Sequence, residues 1–137
     1  MKNNVPKTIF CDLDGTLTKH PTDVAKIQNP DYRLEVLPGV KEFLYKIDVN
    51  RYHLVITTGR KESARESTIK QLQRAGILYD QLIMGFGGGD RILINDRKVG
   101  RTEDTAFAIN VTRNEGVKDV KIWTYKRWLG TRGTWRI

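Results

Sequence analysis

The sequence predicts an α/β fold built on a mainly parallel sheet with helices on both faces, and three observations carry that prediction. Short apolar runs rich in β-branched residues alternate with segments of helical periodicity. Three of those runs end in clusters of Asp, Thr, Gly and basic residues, where open α/β sheets place their ligands. At 137 residues the chain has about the length of one domain, enough to bury a core without covalent staples.

The elements follow in order. Thr8, Ile9, Phe10 and Cys11 form an apolar run that ends in Asp-Leu-Asp-Gly, a buried strand entering a turn. Residues 18–37 are polar, carry Pro21 and Pro30, and read as an irregular loop or short flap. Pro38-Gly39 then opens a helix whose Val40, Phe43, Leu44 and Ile47 fall on one stripe, with Pro38 tolerated in the first turn. Residues 52–57 (YHLVIT) read as a second strand. Residues 61–75 read as a second helix, with Ala64, Thr68, Leu72 and Ala75 on one side and Gly76 at the stop. Leu82-Ile83-Met84, Ile92-Leu93-Ile94, residues 106–111 and Ile122-Trp123 are further strand candidates. With no repeat and no linker, residues 1–137 form a single domain, closed by a basic aromatic tail at 126–137.

Composition narrows the chemistry. One Cys excludes an intramolecular disulfide, and with only two His it argues against a structural zinc site, which needs four N or S ligands. No apolar run approaches the ~20 residues of a membrane span, and the first residues lack the pattern of a secretory signal. A cytoplasmic, reducing setting is therefore expected, in which the Asn110 sequon carries no glycan. The net charge of +8 and pI near 9.7 favour capture of anions without choosing among them. Residues 113–137 hold seven cations against two carboxylates, so part of the excess is local.

The strand ends define a candidate site. Asp12, Asp14, Gly15 and Thr16 follow the first strand; Thr57, Thr58, Gly59 and Arg60 follow the second; Asn95, Asp96, Arg97 and Lys98 follow Ile94. Three carboxylates at one edge repel each other unless a cation lies among them. Oxygen ligands without Cys or His point to Mg²⁺ over Zn²⁺. Hydroxyls and backbone N–H groups of the Gly15-Thr16 turn, Thr58 and a nearby Arg or Lys would bind phosphate oxygens. Such a site suits phosphoryl transfer, in which an Asp can attack phosphorus and a second carboxylate can exchange the proton.

Phe10-Cys11-Asp12-Leu13-Asp14-Gly15-Thr16-Leu17 resembles the hhDxDGT signature of the haloacid dehalogenase (HAD) superfamily. Leu54-Val55-Ile56-Thr57-Thr58-Gly59-Arg60 is similar to its second motif, and Ile92-Leu93-Ile94-Asn95-Asp96 to its acidic fourth motif, so the likeness spans residues 8–98. The segments ILYDQLIMG and TAFAIN are more loosely similar to small HAD proteins encoded with polysaccharide-biosynthesis genes. The resemblance implies a Rossmann-like three-layer sandwich, with Asp12 as nucleophile and Mg²⁺ ligand. Asp14 is implied as general acid/base, with its backbone carbonyl on the metal. Thr58 is implied as phosphate holder beside Gly59 and Arg60, with Gly15 and Thr16 in the same cradle. Asp96 is implied to complete the metal site directly or through water, with Asp104 as an outer charge. Asn95 departs from the family's usual paired acids. The family's third motif is a Lys, and none lies between Lys70 and Lys98, so Arg91 is the stand-in and Lys98 its competitor.

Residues 17–37 and 61–90 leave no room for the family's cap domains, so an open, capless site is implied. That openness admits large substrates unless the 18–37 loop or a homo-oligomer covers it, and it disfavours a mutase, which must hold an intermediate away from water. The expected function is a Mg²⁺-dependent phosphomonoester hydrolase (a phosphatase) acting through an aspartyl-phosphate, on a phosphorylated sugar or related metabolite. The alternatives are a nucleic-acid end phosphatase, which the basic charge and open site favour, and a HAD-like domain that binds without turnover. A receiver-type phosphoacceptor is disfavoured because its Asp follows a middle strand.

Other features are read conservatively. Cys11 points to the face opposite Asp12 and reads as a buried, inert thiol, and a C-x5-R phosphatase loop fails at Leu17. Gly85-Phe86-Gly87-Gly88-Gly89 precedes no helix and reads as a mobile turn near the active edge, not as a nucleotide-binding loop. The aromatic and basic residues 121–128 and 135–136 suit nucleic acid in composition, yet a final strand with a basic surface tail is the preferred reading.

Overall fold

The computed structural model describes residues 5–120, 122 and 134–136. β1 (Thr8–Asp12), β2 (His53–Thr57) and β3 (Gln81–Ile83) form a parallel sheet in that order. Thr8 pairs with His53 and Asp12 with Thr57, while Thr57 also faces Ile83, so the three strands end level with one another. That alignment puts the residues after each strand at a single edge. The fold is a small α/β, Rossmann-like core, and no cap domain is inserted among the described residues.

The helices form where the apolar stripes predict them. α1 (Val24–Gln28) is a short helix inside the 18–37 segment, capped by Asp23, whose carboxylate accepts the Ala25 N–H at 2.9 Å. That segment is drawn in at its base, where Lys19 N–H donates to Glu35 and Leu37 N–H to Leu17. α2 (Val40–Val49) buries Val40, Phe43 and Ile47, with Leu44 packed alongside. A 3₁₀ turn (Glu62–Ala64) leads into α3 (Arg65–Arg74), whose Leu72 is fully buried, a contribution of about 2 kcal/mol for a side chain of that size. Gly76, at φ +72°, ends α3 in the left-handed conformation that glycine adopts most easily.

β4 (Ala108–Asn110) lies within the strand expected at 106–111, and pairs in parallel with β5 (Thr134–Arg136) as a separate two-stranded sheet. β5 falls in the stretch expected as a surface tail. Trp123 and most of the basic aromatic segment lie outside the described residues.

Ile92, Leu93 and Ile94 correct the sequence reading. They form no strand, and they are 86%, 57% and 91% exposed. The residues that follow them bond to a neighbouring loop and to no strand: Asn95 donates to Thr105, Thr105 to the Asp96 carbonyl, and Arg97 pairs with Asp104 at 2.9 Å.

Cys11 behaves as its strand position requires. It is buried, and burial together with the neighbouring Asp12 charge pushes its thiol up to about 12. Iodoacetamide at pH 8 should leave the folded protein unlabelled and react only once urea has opened the core. Rapid labelling of the native protein would contradict this burial.

Candidate active site

Asp12 ends β1 with its side chain 45% exposed at the sheet edge. The chain then tightens. The N–H groups of Thr16, Leu17 and Thr18 all converge on the Leu13 carbonyl, and Leu13 and Leu17 plug the core beneath them. Gly15, at φ +90°, makes this turn possible and donates its N–H to the Thr18 carbonyl. The turn returns the Thr16 hydroxyl to Asp12, where it donates to Oδ2 at 3.1 Å. Arg91 approaches the other oxygen, Oδ1, at 4.0 Å. Burial raises the Asp12 carboxyl above the usual range; the Thr16 hydrogen bond, the Leu13 backbone and Arg91 offset part of the rise, and Asp14 adds slightly to it.

Asp14 is engaged differently. Arg60 Nε and an Nη atom each donate to one of its oxygens at 2.9 Å, a bidentate fork. The Arg60 side chain is 1% exposed, and its other Nη donates to Thr68 at 3.1 Å and Gln71 at 2.7 Å on α3. Gln71 in turn donates to the carbonyls of Lys26 and Asn29 at the C-terminal end of α1. Arg60, expected at the phosphate, is thus the centre of a buried network joining β1, α1 and α3.

Thr58 is 1% exposed, and its Oγ accepts the Arg60 N–H at 3.2 Å. The structure gives that hydroxyl to the turn. Gly59 lies against the Gly87 carbonyl, which a Cβ at position 59 would meet at 2.3 Å. Lys98 pairs with Asp96 at 3.9 Å in the exposed 91–98 stretch, so of the two candidate cations it is Arg91 that faces Asp12. Two residues that the sequence reading did not assign to the site join the rim. Phe86 carries the Arg91 guanidinium 5.6 Å from its ring centre. The exposed Arg113 lies over Gly15, with its Cγ 3.1 Å from where a Cβ would sit.

The structure brings Asp12, Thr16 and Arg91 together, with Asp14 beside them on its own partner. It does not gather Asp12, Asp14 and Asp96 around a common centre: among the described residues no group of three or more His, Cys, Asp or Glu side chains could hold a metal. The reason is physical. Arg60 occupies both oxygens of Asp14, and Asp96 belongs to the unpaired stretch. One carboxylate, that of Asp12, remains. Mg²⁺ commonly takes only one or two carboxylates and fills its other positions with water and substrate phosphate. The donor set therefore fits an ion held jointly by Asp12 and a phosphate, and does not fit one caged by protein alone.

The fold and this edge define a small α/β core with a half-exposed carboxylate at the end of its first strand. No family model matches the chain and no curated protein matches it significantly. Among solved structures, a chain of the Pnkp1/Rnl/Hen1 complex is 27% identical with a TM-score of 0.52, over 66% of this chain and 32% of its own length. A chain of the Pnkp1/Rnl/Hen1 RNA repair complex is 25% identical with a TM-score of 0.51, over 74% of this chain and 29% of its own. This chain thus spans about a third of the length of these neighbours. A D,D-heptose 1,7-bisphosphate phosphatase from B. bronchiseptica, complexed with magnesium and phosphate, aligns over 96% of this chain and 92% of its own. At 16% identity and a TM-score of 0.49, that superposition is too weak to define shared chemistry. No helix among the described residues is long and apolar enough to cross a membrane.

Proposed function

We propose that the chain is a HAD-type phosphomonoester hydrolase in which Asp12 is the nucleophile. The observation that carries this reading is the half-exposed Asp12 at the strand end, oriented by Thr16 and faced by Arg91. An Asp12 oxygen attacks phosphorus as the bond to the leaving oxygen breaks, giving an aspartyl-phosphate and an alcohol. Water then attacks the phosphorus, releasing inorganic phosphate and restoring the carboxylate. Arg91 neutralises phosphate oxygens beside Asp12, and the Thr16 hydrogen bond leaves Oδ1 as the attacking atom. Mg²⁺, held by Asp12 and the phosphate, would supply further charge neutralisation.

The Arg60 fork on Asp14 favours the ionised carboxylate and so works against its passing a proton to the leaving group. Aryl phosphates, whose leaving groups need little protonation, should therefore turn over faster than alkyl phosphates, by a factor on the order of 10²-fold, within the usual contribution of general acid catalysis. A second substrate class, nucleic-acid ends, stands beside the phosphorylated sugars because the likeness to a chain of an RNA repair complex favours it.

The test is a panel of aryl, sugar, glycerol and nucleotide phosphates with Mg²⁺ and with EDTA. Release of inorganic phosphate that EDTA abolishes supports the reading. No release from any member would favour a domain that binds without turnover.

A further inference from the structure

We infer that Phe86 is a stacking platform for a nucleobase, so that the site selects the terminal phosphates of nucleotides and nucleic-acid strands. The inference deepens the hydrolase reading and rests on it for catalysis alone. Phe86 is 48% exposed in the Gly-rich turn that follows β3, and the turn is held at two points. Gly85 N–H donates to the Arg60 carbonyl at 2.8 Å, and the Gly87 carbonyl seats against Gly59. The backbone carrying the ring is therefore held close to the strand ends.

Arg91 links this ring to the chemistry. Its guanidinium lies over Phe86 at 5.6 Å while an Nη atom reaches 4.0 Å from Asp12, and a further Nη bond to the Gly89 carbonyl closes the turn around it. Arg91 thus contacts both the ring and the nucleophile. A phosphate at Asp12 places the group it carries beside Phe86 and the planar face of Arg91, and both surfaces stack on flat bases.

A sugar would ask for hydroxyl partners. Residues 85–89 offer a single side chain, the phenyl ring, and four glycines. Beyond the Asp12 turn the exposed Arg113 lies over Gly15, a second cation for a neighbouring phosphate. Arg91 and Arg113 near the nucleophile turn, together with a half-exposed aromatic ring, match a charged strand end better than a sugar ring, and the net charge of +8 draws such a strand in.

The experiment uses the full chain with Phe86→Leu and Phe86→Trp. Two readouts are taken. The first is the ratio of kcat/KM for a 5′- or 3′-phosphorylated oligonucleotide to that for glycerol phosphate. The second is quenching of a terminal 2-aminopurine oligonucleotide on binding, which needs no turnover. Phe86→Leu should lower the ratio roughly 5- to 150-fold, the usual worth of one stacked base, mainly through KM, and should abolish quenching; Phe86→Trp should preserve both. A mononucleotide responding as strongly as the oligonucleotide would assign the site to free nucleotides, within the same chemistry. A protein that hydrolyses nothing but quenches in a Phe86-dependent manner would defeat the hydrolase reading and leave the platform standing. Equal losses on all substrates, a preference for sugar phosphates, or quenching indifferent to Phe86 would overturn the platform.

Discussion

Asp12→Asn should reduce phosphate release by about three orders of magnitude or more if Asp12 is the proposed nucleophile, because it removes the oxygen that would attack phosphorus. The substitution keeps shape and leaves the Thr16 hydroxyl an acceptor oxygen, so secondary structure and urea midpoint should hold. Linkage sharpens that expectation. Burial raises the Asp12 carboxyl in the folded protein, so its neutral form is favoured there. The stability it contributes is complete below its unfolded pKa and is lost as pH rises through the folded value. At neutral pH the ionised side chain is thus the less comfortable form, and Asn should be neutral or mildly stabilising. Activity runs the other way, since attack requires the carboxylate. In the metal-free protein an NMR titration should place the Asp12 carboxyl above an ordinary Asp, whose pKa is about 3.9, and Arg91→Ala should move it further up, because Arg91 is one of the groups that lower it. An Asp12→Asn protein of wild-type activity would assign the chemistry elsewhere. A titration that moves down on removing Arg91 would dissociate that cation from the nucleophile.

What the sequence disclosed follows the range of the forces involved. Val40, Phe43 and Ile47 are readable because a helix repeats its own geometry, and all three are buried. Asp12, Gly15 and Thr16 are readable because their turn closes within five residues. Arg60 was misplaced because a cation after a strand has the same local signature whether it meets a phosphate or a buried carboxylate. The deciding partners, Thr68 and Gln71, lie on another element. A signal did exist in the buried stripe of α3, where two polar side chains beside Leu72 need a partner. Ile92, Leu93 and Ile94 show the complementary error. Apolar β-branched composition describes what a strand prefers to be made of, but pairing requires a neighbour's N–H and C=O groups. Here Asn95 and Arg97 bond to Thr105 and Asp104 of a neighbouring loop. Asp96 leaves the site with them. Phe86 is placed by sequence only as part of a turn near the active edge, because a lone aromatic among glycines has no period to read.

Arg60→Met should destabilise the protein by about 3–5 kcal/mol, the range for breaking a buried pair by removing one partner. The reasoning starts from exposure: the Arg60 side chain is 1% exposed and that of Asp14 13%, so solvent screens the pair poorly. Without Arg60, Asp14 loses two donors and becomes an uncompensated carboxylate, while the Thr68 and Gln71 oxygens lose theirs. Gln71 would then be free to turn from the Lys26 and Asn29 carbonyls, loosening the end of α1 as well. In urea, with an m-value near 1–3 kcal/mol/M, the midpoint should fall by roughly 2 M. Asp14→Leu in the Arg60→Met background should recover much of that loss, since an apolar pair of similar volume often replaces a buried ion pair at little cost. The rival assignment makes the opposite forecast. If Arg60 served mainly to bind substrate phosphate, Arg60→Met would raise KM with the urea midpoint almost unmoved, and adding Asp14→Leu would restore nothing. Arg91→Met is the natural contrast: half-exposed and beside Asp12, it should impair phosphate release while leaving the midpoint within a few tenths of a molar unit, on the order expected for an exposed ion pair.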